Sequence, residues 1–396
     1  MLARNAWEKR KFVQMLNNSD GLRRGPFGSA LKKAFFVKES SFVVYEQQNA
    51  IYDRFNTRYR ISEKKFAELH NFEVLPGDFL LSGAGTIGRI ARVPKGIEQG
   101  VFNQALIRLR INESMTDSEF FLQFIRSDFM QKNLTETNPG SAIQNLVPMS
   151  ELKNWTVRIP VVNEQRKIGS LLKKVDNLIT ATQDKIGALE QVKETLSKNL
   201  FDQSWRFKEY STPWKENKLK DIVSAYSGGT PSANIRTYYG GHIPFIRSAE
   251  IHSSTTALTL TQEGLKNSSA KLVKTGDILY ALYGANSGDV DRSKINGAIN
   301  QAILAMRPSK ENDSNFILFQ LMRMKNKIVS TYLQGGQGNL SGRIILALNL
   351  DMPESTSEQR TIGRSLQLLC ELISVNQSKY SQLESLKKSL LQNLFV

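Results

Sequence analysis

The chain holds one cysteine and three histidines in 396 residues, and these shortages exclude whole classes of chemistry. A single thiol, Cys370, rules out an intramolecular disulfide and a thiolate metal cluster, which fits a reducing compartment. It stands one position past the apolar residue Leu369 of a helical pattern, so a packed side chain is expected there and not a nucleophile. His70, His242 and His252 are scattered, with no histidine or carboxylate pair at metal-ligand spacing. No run of 18 apolar residues occurs, and the opening MLARNAWEKRKF lacks an apolar leader core. A cytoplasmic protein with no membrane partner is therefore expected. Negative charge is also short: 37 Asp and Glu face 53 Lys and Arg, a formal net charge of +16. That imbalance asks for a polyanionic partner, nucleic acid first.

Catalytic motifs are missing as well. No G-x-x-x-x-G-K-[ST] string is present. Gly83-Ala-Gly85-Thr-Ile-Gly88 matches G-x-G-x-x-G and follows strand-like Asp78 to Ser82. What comes next reads as another strand, and position 103 is Asn where a dinucleotide site needs an acid, so the glycines predict a tight hairpin. Asn138-Pro139-Gly140 departs from the Asn/Asp-Pro-Pro-aromatic motif of amino-methyltransferases at its last two positions. No triad or paired-carboxylate site has supporting context. The chain reads as a binder.

What is present is a duplication. The stretch Glu164 to Phe201 returns without a gap as Glu358 to Phe395, with roughly 17 of about 38 positions identical. The first copy carries a heptad seam of Ile168, Leu172, Val175, Ile179, Thr182, Ile186, Leu189, Lys193, Leu196 and Leu200. The second carries Ile362, Leu366, Leu369, Ile373, Asn376, Tyr380, Leu383, Lys387, Leu390 and Leu394. Polar interruptions coincide, Thr182 with Asn376 and Lys193 with Lys387, which suggests that one helix pairs with the other in a set register. Trp7 to Phe12 is echoed by Trp214 to Leu219, Pro76 to Leu80 by Thr275 to Leu279, and Asn103-Gln-Ala by Asn300-Gln-Ala.

Each half is thus a domain followed by a helix. Residues 1–160 form a first domain, 161–207 a central helical spacer, 208–353 a second domain and 354–396 a C-terminal helical spacer. Phe72 to Pro94 alternates short apolar runs with Gly and Pro, which is strand and hairpin patterning. Asp117 to Asn133 and Ser314 to Tyr332 carry a helical period, and KLVKTGDILYALYG is strand-like. Pro160 and Pro353 mark sharp helix entries. A 38-residue helix is about 57 Å long, while a domain of this size spans on the order of 40 Å, so antiparallel helices make the shortest connection. The expected fold class is α+β: two mixed domains separated by two long helices that form an antiparallel intramolecular coiled coil, pseudo-twofold symmetric, with one domain at each end and the helices as a ruler between them.

Candidate contacts to DNA follow from residue type. In the first domain Gly21-Leu-Arg-Arg-Gly-Pro-Phe-Gly-Ser29 places Arg23, Arg24 and Ser29 on flexible backbone beside Lys32 and Lys33, suited to phosphates in a groove. Tyr45, Gln47, Gln48 and Asn49, with Tyr52, Arg58 and Arg60, offer amide and guanidinium groups for base edges. In the second domain the counterparts are Thr230 and Ser232 of Gly228-Gly-Thr-Pro-Ser232, then Tyr238, Tyr239, Arg247 and Ser248.

Taken together, WEKRKF at Trp7, GLRRGPFGS at Gly21, VYEQQNAIY at Val44, GGTPS at Gly228, YYGGHIPFIRSAEI at Tyr238, the two Glu-Gln-Arg helix openings and the two Asn-Gln-Ala strands resemble the specificity (S) subunits of Type I restriction-modification systems, over almost the whole chain. The resemblance implies target-recognition domains that each read one half of a bipartite, asymmetric double-stranded DNA site. It implies no catalytic site and no cofactor in this chain; two methyltransferase subunits using S-adenosylmethionine, and two restriction subunits using ATP and Mg where the system is complete, would act as partners in a bacterial or archaeal cytoplasm. GLRRGPFGS and GGTPSANIR differ in length and charge, so the two domains should read different sequences. Two other classes stand beside this one: a non-specific coiled-coil DNA-binding adaptor without such partners, which needs no divergent reading domains, and a DNA-modifying enzyme acting alone, which lacks its motifs here.

Overall fold

A computed structural model describes residues 7–135, 148–333 and 339–395; Asn138-Pro139-Gly140 lies outside them. The chain divides into two compact units, one of residues 1–183 with 378–396, the other of 184–377. Each unit therefore contains one globular domain, the half of the helix attached to it and half of the other long helix.

In the first unit, Leu22–Arg24, Leu106–Leu109, Phe79–Ser82 and Ile90–Arg92 form a four-stranded antiparallel sheet in that order. A second sheet runs Phe36–Val37, Tyr59–Ile61, Phe42–Tyr45, Gly100–Phe102, its last pair parallel. Glu8–Lys11 pairs antiparallel with Thr156–Ile159 in a separate ribbon. The four residues of Phe79–Ser82 and of Leu106–Leu109 are all buried, as expected of strands covered on both faces. Helix Ser118–Arg126 closes one face with Phe120, Phe121 and Phe124. The hairpin expected at Gly83 to Gly88 is present, with Leu81 opposite Ile90, and Gly85 and Gly88 take the positive φ values of +65° and +80° that such a turn requires.

The second unit repeats the plan. Val223–Ser227, Ile303–Pro308, Ile278–Ala281 and Val290–Arg292 make an antiparallel sheet. Thr259–Leu260, Tyr239–Ile246, Gly297–Ile299 and Lys271–Val273 make a mixed one, with Tyr239–Ile246 parallel to Gly297–Ile299. Helix Ser314–Tyr332 has the extent read from its periodicity. Its counterpart does not: Asp117 to Asn133 is two helices, Ser118–Arg126 and Asp128–Thr135. Ser127 takes an extended conformation and its hydroxyl donates to the Phe124 carbonyl at 2.6 Å, ending the first helix.

The long helices run Val162–Phe201 and Thr356–Leu394. All twenty seam positions are buried or half-buried while their neighbours are largely exposed, so the heptad reading holds in both copies. Leu172 and Leu366 are fully enclosed, Ile373 nearly so, and Ile179, Leu189 and Leu383 half-buried. Within the first unit, Lys387 pairs with Asp176 at 2.7 Å while Phe395, nearer the chain's end, packs with Phe120 near the start of the first helix. Within the second, Leu196 and Leu200 share a core with Ile362 and Leu366, and Phe201 packs on Phe316. The helix halves are antiparallel in each unit. Thr182 and Asn376 are both buried in the seam, and each donates to its own helix, to the Leu178 and Leu372 carbonyls at 2.7 Å.

Each helix start clasps its domain in the same way. The Trp7 and Trp214 indole N–H groups donate to Glu164 and Glu358 carboxylates at 3.2 and 3.1 Å. Gln165 and Gln359 accept from the Asp117 and Asp313 backbone N–H and donate to the Pro160 and Pro353 carbonyls. Asp117 and Asp313 in turn cap the helices Ser118–Arg126 and Ser314–Tyr332. The Glu-Gln-Arg openings therefore bolt each long helix to a domain.

Candidate nucleic-acid interface

The interface begins with a close backbone approach. Gly25 lies against the Asn103 carbonyl, where an added Cβ would sit 1.9 Å from the oxygen, and Gly228 lies against the Ile299 carbonyl at 1.8 Å on the same construction. Only glycine fits either position. Each glycine thereby pins a loop, residues 25–29 or 228–232, to the Asn-Gln-Ala segment beside it. Asn103 and Asn300 close that segment by accepting from the Ala105 and Ala302 N–H at 3.1 Å. Gln104 and Gln301 are left facing the loops: the Gln104 side chain lies beside Gly28, and the Thr230 hydroxyl donates to Gln301 Oε1 at 2.7 Å.

In the first domain a cleft of about 590 Å³ is lined by Arg24, Pro26, Phe27, Ser29, Ala84 and Gln104. Beside it Lys33, Glu46, Arg58, Tyr59 and Gln104 line a smaller one of about 260 Å³. Gln47 joins the group from its helix, Gln47–Tyr52, by donating to the Ala84 carbonyl and, at 3.2 Å, to that of Thr86. Arg24, Ser29, Lys32, Lys33 and Gln48 are exposed, as are Tyr52 and Arg58. Arg58 stacks over Tyr59 at 4.7 Å and meets Glu46 at 3.3 Å.

Several expected contacts are internal. Tyr45 is wholly enclosed; its hydroxyl donates to the Glu98 carbonyl at 2.5 Å, and burial, with the Glu98 charge, pushes its pKa up to about 12. Asn49 is buried too, donating to the Arg54 and Asn56 carbonyls and accepting from the Glu46 N–H. Neither side chain can reach a duplex in this fold. Arg23 pairs with Asp20 at 2.9 Å, and Arg60 with Glu98 at 2.7 Å and the Ser40 carbonyl at 2.6 Å, and both side chains are half-buried.

In the second domain Thr230 and Ser232 are exposed on their loop, and the Tyr239 hydroxyl supports it from beneath by donating to the Pro231 carbonyl at 2.6 Å. Tyr238 is half-buried, with Gly264 against its carbonyl. Arg247 is committed to Glu250 through two 3.1 Å bonds. These raise the pKa of Arg247; burial alone would raise that of Glu250, yet the bonds from Arg247 and the Ala257 N–H hold it below the usual range. Ser248 is half-buried beside that pair.

Gln104 and Gln301 are the residues that a reading of the sequence passes over. Their signal was the repeated Asn-Gln-Ala, whose value as a sheet echo hides the amide in its middle. No group of three or more His, Cys, Asp or Glu able to hold a metal ion occurs among the described residues, and no described helix is long and apolar enough to cross a membrane.

Comparison with known proteins matches this duplicated architecture. The family model described as Type I restriction modification DNA specificity domain matches twice, at residues 32–191 and 211–385. A putative type I restriction enzyme MjaX specificity subunit of Methanocaldococcus jannaschii is 24% identical over 356 residues, spanning 84% of this chain and 81% of that protein. The MjaVIII specificity subunit of the same organism is 24% identical over 384 residues, 90% of this chain and 88% of that one. The crystal structure of the S subunit of a Type I restriction-modification system from M. genitalium superposes with a TM-score of 0.68 at 17% identity, covering 100% of this chain and 98% of that one, and so shares the fold. With the family model matched by both halves, the chain belongs to the Type I restriction-modification specificity subunits.

Proposed function

We propose that this chain supplies DNA sequence specificity to a Type I restriction-modification complex, each domain reading one half of a bipartite, asymmetric site. The observation that carries this reading is the pair of equivalent loops, each pinned by glycine against an Asn-Gln-Ala segment yet presenting different side chains: Arg24, Phe27 and Ser29 in one, Thr230 and Ser232 in the other. Equivalent scaffolds with unlike surfaces suit two unlike half-sites. The exposed cations beside the first loop add phosphate contacts that position without specifying.

On this reading the chain carries no catalytic site. Methyl transfer from S-adenosylmethionine belongs to two methyltransferase subunits that the chain recruits, and ATP- and Mg-dependent restriction to two further subunits where the system is complete. The test is methylation of DNA by the purified chain alone, by a candidate methyltransferase subunit alone, and by both. Only the mixture should methylate, at a two-part sequence, and binding should weaken steeply with salt. Methylation by the chain alone, or binding indifferent to salt, would overturn the proposal.

A further inference from the structure

Phe27 is 86% exposed, a degree that leaves both faces of its ring open to contact. It is nevertheless held in place. Gly25 is clamped on the Asn103 carbonyl and donates its N–H to the Leu106 carbonyl at 3.0 Å, Pro26 is buried, and the Ala30 N–H closes a turn on the Phe27 carbonyl at 2.8 Å. The residue thus stands at the rim of the 590 Å³ cleft on a loop whose backbone is fixed on both sides. Around it, Arg24, Lys32 and Lys33 are exposed and form no ion pair among the described residues. At the equivalent position of the second domain, counted from the clamped Gly228, stands Thr230, whose hydroxyl is engaged by Gln301.

A ring free on both faces, carried on a rigid tip and flanked by unpaired cations, is fitted to a partner that offers flat apolar surfaces between anionic rails. Stacked base pairs between phosphate backbones have that chemistry. We propose that Phe27 acts as a wedge which enters a base step in the half-site read by the first domain, unstacking it while Arg24, Lys32 and Lys33 hold the flanking phosphates. The inference rests on the DNA-reading function above and adds a mode of readout to it: the step entered must unstack cheaply, which favours a pyrimidine–purine step. The second domain, with Thr230 in place of the ring, reads without a wedge.

The test uses the full chain, with Phe27→Ala and Phe27→Trp variants, selecting from a pool of randomised duplexes. Affinity is then measured across a salt series on the duplex that the wild type enriches, labelled with 2-aminopurine at successive steps. Phe27→Ala should weaken binding about tenfold, the scale of one lost base–aromatic stack. It should lose sequence preference at one step of one half-site and leave the salt slope unchanged, because no phosphate contact is removed. Phe27→Trp should restore affinity, and 2-aminopurine at that step should brighten with wild type and not with Phe27→Ala. Unchanged affinity and selection in Phe27→Ala, or a changed salt slope showing that the whole loop had moved, would overturn the wedge while leaving DNA reading intact. Failure of the wild type to enrich any sequence, with a flat salt slope, would overturn the reading function and the wedge with it.

Discussion

Asp277 shows what a single charged residue does in this fold. Its carboxylate accepts from Arg307 at 2.8 and 2.6 Å and from the Lys274 N–H at 2.8 Å. Burial alone would raise its pKa, but these bonds hold it below the ordinary range. A carboxylate whose pKa is lower folded than unfolded stabilises the fold above the unfolded value, near 3.9, and that contribution disappears as pH falls through the folded value. Because the Arg307 side chain is partly exposed, solvent screens the pair. Asp277→Asn should therefore cost on the order of 1 kcal/mol in urea unfolding at pH 7, and the gap to wild type should narrow by pH 3. An equal gap at both values would place the effect elsewhere. Asp78 and Arg110 make the same pair in the first domain, at 2.7 and 2.9 Å. Such pairs explain why residue type alone overstates how many cations are free. Arg23, Arg60 and Arg247 look like free cations in the sequence, whereas each is paired in the fold, Arg23 with Asp20 and Arg247 with Glu250 three residues away and Arg60 with Glu98 from a segment distant in sequence.

At the scale of the element, the long helices were the most legible part of the chain, because a 3.5-residue period over five heptads has no other economical explanation. Their docking was less so. Gly169 and Gly363 sit where a Cβ would come within 2.7 Å of the Phe120 N–H and 2.6 Å of the Asp313 carboxylate, so the helix can meet the cap of its neighbour only through glycine. That requirement arises between elements distant in sequence and leaves no periodic trace. Gly187, on the same helix, faces open space. Gly169→Ala should cost about 1–3 kcal/mol by overpacking, while Gly187→Ala should be stabilising by about 0.5–1 kcal/mol, as expected for an exposed helix interior. Thermal unfolding of the two variants side by side checks the pair, and equal effects would show that helix propensity and not close approach governs these positions.

Across the whole molecule, the duplication makes each domain a unit with its own core and its own helix clasp. Replacing residues 208 to 352 with the equivalent domain of a relative should change one half of the methylated sequence and leave the other, as read by methylome sequencing; a change in both halves would show that the domains do not read independently. The two-domain plan was legible because the repeated strings bracket it. The interface was legible only in part: glycine beside arginine announced the first loop, but the depth of Tyr45 and Asn49 depends on the sheet and helix packed over them. The glycine clamp on a main-chain carbonyl has one further consequence. Since the loop is closed by backbone, positions 27, 29, 230 and 232 can change at little folding cost, typically within about 0.5 kcal/mol for exposed sites. New loop surfaces thus lie within reach of single mutations that never pass through an unstable protein, and the two tips can diverge from one another while the scaffold that carries them stays as it is.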